Sequence, residues 1–147
     1  AILLHTGRDF TILPAAADDS YGMMFNHRRQ SQDRVLRQRM LELTAGHTLW
    51  MNAYSAKQFA KDTAPNIRIS EAFLDEAHTG EYCFIEDMAA LPYEAKVEKI
   101  VLYRWNRAYP GDFYFDIPLE AHGWKSVQAT DFPGSSHACI TEEQWIK

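Results

Sequence analysis

Five arginines fall in the stretch FNHRRQSQDRVLRQRM at residues 25–40, against a single acid, Asp33. The whole chain carries a formal charge of −5, so this stretch stands at +4 and the remainder at −9. A guanidinium is a planar, permanently charged fork that grips phosphate or carboxylate through parallel hydrogen bonds. A helix N-terminus adds free N–H groups and partial positive charge. Ser31 reads as the N-cap of the first long helix, with Asp33 in its first turn and Gly46 as its stop. Arg28 and Arg29 then precede the cap, and Arg34 follows it by about a turn. Arg28, Arg29, Ser31 and Arg34 are therefore candidate ligand-binding residues for an anion.

Arg104 and Arg107 form a second basic pair around Trp105 and Asn106 in YRWNR. Guanidinium beside indole suits stacking on nucleobases, which points the anion toward RNA or a nucleotide phosphate. His137, in PGSSHACI, is the candidate catalytic residue, a general acid–base assisted by a neighbour such as Asp116. Arginines on a phosphate with one histidine moving a proton would support RNA cleavage.

The same residues admit plainer readings. The arginines could pair with the acids of their own chain, and the serines could close a turn with His137 at the surface. The competing functional reading is a noncatalytic protein–protein interaction module whose arginines meet an acidic protein partner. Whether there is turnover stays open. The acidic whole argues against nonspecific duplex binding, which needs many cations facing phosphate.

Other chemistries lack their motifs. The six histidines form no HxH, HxxxH or HExxH, and no CxxC occurs, so no metal is read. The chain has no GxxxxGK[ST] and no GxGxxG, so no cofactor is read from a Gly-rich loop. PGSSHACI is not the GxSxG elbow of a hydrolase.

MMFNHRRQSQDRVL, LWMNAYSAKQF, GEYCFIED, YRWNRAYPGDFYFDI and GSSHACIT together resemble a family of small, uncharacterised bacterial cytoplasmic proteins, from about residue 21 on. Some members bear the label ribonuclease Z. The sequence does not support that label, because the HxHxDH metal motif of that nuclease is missing. The resemblance implies a bacterial, cytoplasmic origin and assigns no catalytic residue.

The elements that must carry these side chains are short. From Val35, the residues Leu36, Met40 and Leu43 share an apolar stripe roughly 140° wide on the first helix. Arg39 falls inside that stripe and calls for a carboxylate partner or a snorkelling head. TLWMNAY and NIRIS read as strands, Ser55 and Gln58 as a capping box, and Ser70 as the cap of SEAFLDEAHTG. EYCFIED and the β-former-rich EKIVLYRW follow as strands, the latter central. DFYFDI alternates, with Phe113, Phe115 and Ile117 on one face. WKSVQA is a further strand, and Thr141 with Gln144 marks a short C-terminal helix.

The expectation is one α+β domain over residues 1–147. It has a mixed β-sheet with short helices in the N-terminal two thirds and an antiparallel meander at the C-terminus. Cys83 and Cys139 read as unpaired thiols. AILLHTGRDF is too short in its apolar run for a leader core, and no run suits a membrane span, so a cytoplasmic location is expected.

Overall fold

The computed structural model describes residues 10–14, 17–31, 33–60, 62, 64–78 and 80–146, with side chains from Ala17 onward. The opening stretch weighed above as a leader, up to Asp9, lies outside the described residues.

One α+β domain results, built on a seven-stranded mixed sheet. Its strands are β1 (Phe10–Pro14), β4 (Leu49–Met51), β5 (Ile67–Ile69), β6 (Glu81–Ile85), β7 (Val97–Arg104), β9 (Lys125–Phe132) and β10 (Ile140–Ile146). The order across the sheet is β5-β4-β6-β1-β7-β10-β9. The first five run parallel, and β10 is antiparallel to both its neighbours. Burial explains the centre. Ile100, Val101, Leu102 and Tyr103 are all fully buried on consecutive positions of β7. A near-continuous run of β-formers, covered on both faces, is what a central strand beside parallel partners requires.

The C-terminal third is antiparallel, and its last strand, β10, lies between β7 and β9 rather than outside them. The helix read at Thr141–Gln144 is not formed; those residues belong to β10. Ladders on both sides satisfy its backbone groups, and Glu142 finds buried partners there, so tertiary pairing overrides the capping pattern. Glu142 is buried and accepts from Arg39 Nε at 2.9 Å, Arg39 Nη2 at 3.3 Å and the Tyr103 hydroxyl at 2.8 Å. Arg39 also lies over the Phe132 ring. The arginine inside the apolar stripe thus has its carboxylate.

The first helix, α1 (Arg34–Leu43), starts later than Ser31 suggested. Its N-cap is Asp33, whose Oδ1 accepts from the N–H groups of Val35 and Leu36. A carboxylate is the stronger acceptor and suits the positive end of the helix. Leu36 and Met40 are buried on the apolar stripe. The second helix, α2 (Ala53–Ala56), is capped by Asn52 and not through Ser55, whose N–H donates to Asn52 Oδ1. The third, α3 (Phe73–Glu76), spans one turn of the longer helix expected after Ser70. A 3-10 turn at Leu91–Lys96 has Pro92 at its start.

A second, three-stranded sheet is tied through Arg29 to Tyr54 and Glu86, which follow the carboxyl ends of β4 and β6. It joins β2 (Gly22–Phe25), β3 (Arg28–Arg29) and β8 (Phe113–Tyr114) in the order β3-β2-β8. Asn26 and His27 turn the β2–β3 hairpin with φ of 52° and 61°. Two consecutive left-handed residues match the twist of a tight hairpin, and Asn suits the first. Met23 and Met24 are buried and fix the hairpin to the core. Beyond Tyr114 the ladder stops, yet Phe115 and Ile117 are buried, so the alternation read in DFYFDI is kept in burial. No helix among the described residues is long and apolar enough to cross a membrane. Cys83 is buried and Cys139 exposed, both as free thiols.

Candidate functional site

The first sequence candidates, Arg28 and Arg29, are the whole of β3 and alternate in what they face. Arg29 turns inward. Its Nε donates to Glu86 Oε2 at 2.9 Å and its Nη2 to Glu86 Oε1 at 3.2 Å. Its guanidinium lies over the Tyr54 ring, 4.6 Å from the centroid. Glu86 follows directly on β6, is buried, and also accepts from Gln58 Nε2 at 3.1 Å. Burial alone would lower the Arg29 pKa; the Glu86 hydrogen bond and charge outweigh it and raise the value. Arg29 is therefore a strut between hairpin and sheet. Arg28, on the opposite face, is exposed.

The remaining candidates separate in the same way. Arg104 pairs with Glu143 at 3.7 Å and covers the Tyr21 ring at 4.5 Å. Arg37 pairs with Asp62 at 3.5 Å. Arg34 and Arg107 are exposed. Among the described residues, Arg28, Arg34 and Arg107 make no ion pair. Ser31 is half-buried and lines a small cavity of ≈ 20 Å³ with Arg29, Asp33 and Glu86, about the room for one water. The start of α1, read as an anion site, holds an anion of its own chain, Asp33.

Asp33, itself buried, is the centre of a network that reaches the exposed Ser135 and Ser136. Besides the two helix N–H groups, its Oδ1 accepts from Ser135 N at 3.0 Å. Its Oδ2 accepts from Ser136 N at 2.7 Å and from the Ser136 hydroxyl at 3.0 Å. Burial would push this carboxyl up; the N–H groups of Ser135, Ser136 and Leu36 and the Ser136 hydroxyl reverse that and hold it far below its ordinary range. The loop reaches this close only because residue 134 is glycine: a Cβ there would sit 2.5 Å from Asp33 Oδ2 and 2.8 Å from Ile140 Cδ1.

His137 lies in this network rather than at the surface. It is 5% exposed. Its Nδ1 is 2.9 Å from Ser136 Oγ and 3.5 Å from Asp33 Oδ2. Its Nε2 is 2.8 Å from the Tyr109 hydroxyl. Trp105 stacks on the ring with centroids 4.2 Å apart. The carboxylate beside His137 is thus Asp33; Asp116 is elsewhere, accepting from the N–H groups of Ala90 and Leu91. The serines do close a turn, as the plainer reading held, through Gly134 N donating to the His137 carbonyl.

Tyr109 links this network to Arg28. It is half-buried, and its N–H donates to Asp18 Oδ2 at 3.2 Å. With Phe25, Asn26, Arg28, Arg29, Gln30 and Pro110 it lines a pocket of ≈ 280 Å³. Phe25 is 47% exposed there. The structure so brings together Arg28, Arg29 and, one hydrogen bond behind Tyr109, His137. Ser31 and Arg34 lie on the Asp33 side, and Arg104 and Arg107 do not line the pocket. Sequence reasoning missed Tyr109 and Phe25. The Tyr-Pro-Gly turn was a visible loop signal, but nothing local ties residue 109 to residue 28. No group of three His, Cys, Asp or Glu among the described residues is placed to hold a metal ion.

No protein-family model and no curated protein matches the sequence. Among solved structures, a dihydrofolate reductase from Enterococcus faecalis, complexed with NADP(H) and RAB-propyl, is similar in fold. The TM-score is 0.61 at 12% identity, over 96% of each chain. At that identity the likeness concerns the fold, which in that protein carries a ligand-binding function.

Proposed function

We propose that this protein binds a nucleotide, with its phosphate on Arg28 and its base against Phe25 and Tyr109. The observation that carries the reading is the concave pocket of ≈ 280 Å³ in which an exposed, unpaired guanidinium stands beside two aromatic rings. Arginine supplies a charge-assisted, two-pronged grip on phosphate, and an exposed ring accepts any base by stacking. The fold supports the same class of ligand. Open α/β sheets bind ligands outside the carboxyl ends of their strands, and the similar reductase is complexed with NADP(H). A mononucleotide or dinucleotide fits better than a long RNA, because Arg28 is the one exposed arginine among the described residues that lines the pocket, on a chain of charge −5.

Calorimetric titration with AMP, NADP(H), inorganic phosphate and a short single-stranded RNA tests this. Arg28→Ala should weaken AMP or NADP(H) binding by about 10-fold or more, the worth of a hydrogen bond to a charged group. Unchanged affinity removes Arg28 from the site. The exposure of Arg34 and Arg107 outside the pocket favours one second reading, an acidic protein partner. In that case Arg34→Glu with Arg107→Glu would abolish binding of a poly-glutamate peptide and leave AMP binding untouched.

A further inference from the structure

The chain from Asp33 to Tyr109 has a direction, set by which atoms can donate. Asp33 accepts at both oxygens and offers no proton. The Ser136 hydroxyl donates to Asp33 Oδ2. That leaves Ser136 Oγ as the acceptor for His137, so the imidazole carries its proton on Nδ1. In the neutral imidazole Nε2 is then a bare lone pair, 2.8 Å from the Tyr109 oxygen, and the phenol donates to it. A base whose far nitrogen is oriented through a buried carboxylate, and whose near nitrogen takes a proton from a hydroxyl, is the arrangement that activates a hydroxyl.

Packing keeps the relay in place. Trp105 stacks on the imidazole at 4.2 Å, and its ring is itself buried. Asp18 holds the Tyr109 backbone, and three further contacts hold Asp18: the N–H groups of Ser20 and Gly22 and the amide of Gln30. Of Asp33, Ser136, His137 and Tyr109, Tyr109 is the one that lines the Arg28 pocket.

We infer that Tyr109 is an acid–base residue for a hydroxyl group of the ligand held by Arg28, with His137 as the proton reservoir behind it. The inference rests on the nucleotide reading for its substrate class, a phosphate-bearing compound with a sugar hydroxyl. In the forward step the ligand O–H bond breaks and its proton goes to the Tyr109 oxygen. The phenol proton passes to His137 Nε2, and the resulting imidazolium faces the Asp33 carboxylate. The ligand oxygen is left as an alkoxide-like nucleophile, and the reverse transfer restores the resting state. No electron is exchanged. Tyr109 is the residue that touches the ligand; His137, Ser136 and Asp33 position and supply it.

An arylsulfonyl fluoride small enough to need no nucleotide contact reads the activated phenol directly. Attack by the Tyr109 oxygen forms an S–O bond, the S–F bond breaks, fluoride leaves, and the phenol proton goes to His137. Peptide mapping of the native protein at pH 7.5 should show Tyr109 labelled about 10-fold faster or more than Tyr114. Tyr114 is 47% exposed, and its hydroxyl donates to the Gly111 carbonyl, so it is the internal reference. His137→Gln should bring Tyr109 down to the Tyr114 rate with the near-ultraviolet dichroism unchanged, and free imidazole should restore part of the loss in His137→Ala. Tyr109 labelling no faster than Tyr114, or wild-type labelling in a folded His137→Gln protein, overturns the inference. If neither His137 variant folds, the Tyr109-to-Tyr114 ratio in the native protein decides alone. AMP present during labelling separates the two readings. Fast labelling with no protection by AMP keeps the relay and removes the nucleotide; protection by AMP of a slow Tyr109 keeps the nucleotide and removes the relay.

Discussion

Seven of the nine arginines invite one question, and their surroundings answer it one at a time. Arg29, Arg37, Arg39 and Arg104 each meet a carboxylate of this chain. Arg28, Arg34 and Arg107 stay in solvent. The division follows from reach. Arg39 sits on the apolar stripe of α1 and had to find Glu142, as its position in the helix period indicated. Arg28 and Arg29 are adjacent in sequence, yet a strand sends them to opposite faces, so one becomes a strut and the other a surface cation. Reading them as part of a helix start hid that difference. Arg39→Ala should destabilise by about 2 kcal/mol, under the full cost of an orphaned buried charge because the guanidinium is partly solvated and Tyr103 still serves Glu142. Urea unfolding measures it, and a loss below about 0.5 kcal/mol would mean that the Arg39–Glu142 pair contributes no net stability.

At the scale of elements, the loop at residues 133–139 and the start of α1 are one unit, stapled by Asp33. Gly134→Ala should destabilise by about 1–3 kcal/mol, because the new methyl meets Asp33 and Ile140 at less than contact distance. The same variant should lower the Tyr109 labelling described above, since it disturbs the carboxylate that orients His137. A substitution to alanine at Gly46, where nothing lies within 4 Å, meets no such neighbour and strains only its φ of +83°. The strands were legible from their residues: EKIVLYRW as a central strand and WKSVQA as a later one are β7 and β9. The C-terminal strand was not, because Thr141 and Gln144 mimic a helix cap while the deciding facts, ladders to β7 and β9, are non-local. The helix α2 begins ahead of the Ser55 cap and α3 is shorter than the pattern after Ser70, for a similar reason: propensity over a few residues is a weak prior beside tertiary packing.

Across the whole molecule, burial of ionised groups sets the response to acid. Burial works against the charge of Asp33, Asp18 and Glu81, and hydrogen bonds from neighbouring N–H groups and side chains then hold each carboxyl below its ordinary value. The sign follows. At neutral pH the groups are ionised in both states, and the folded state is favoured in full. Below the ordinary values of 3.8 and 4.5 the unfolded chain takes up protons first. Stability should therefore be level above about pH 5 and fall steadily beneath pH 4. Melting curves from pH 7 to 3 read this; a melting point that rises on acidification would contradict it. The two thiols should separate as well. Burial raises the Cys83 thiol pKa and shields it, whereas Cys139 is exposed. One thiol should react with a chromogenic disulfide in the native protein and the second only after denaturation.

The pocket beside Arg28 is the centre of the account, and amide chemical shifts test it most directly. AMP or NADP(H) titrated into isotope-labelled protein should move the amide resonances of residues 25–30, Tyr109 and Gly111 as one saturable set, and Arg28→Ala should raise the midpoint of that movement about 10-fold or more. Titration that leaves those amides in place, or shifts only the exposed face of α1 around Arg34, would contradict it.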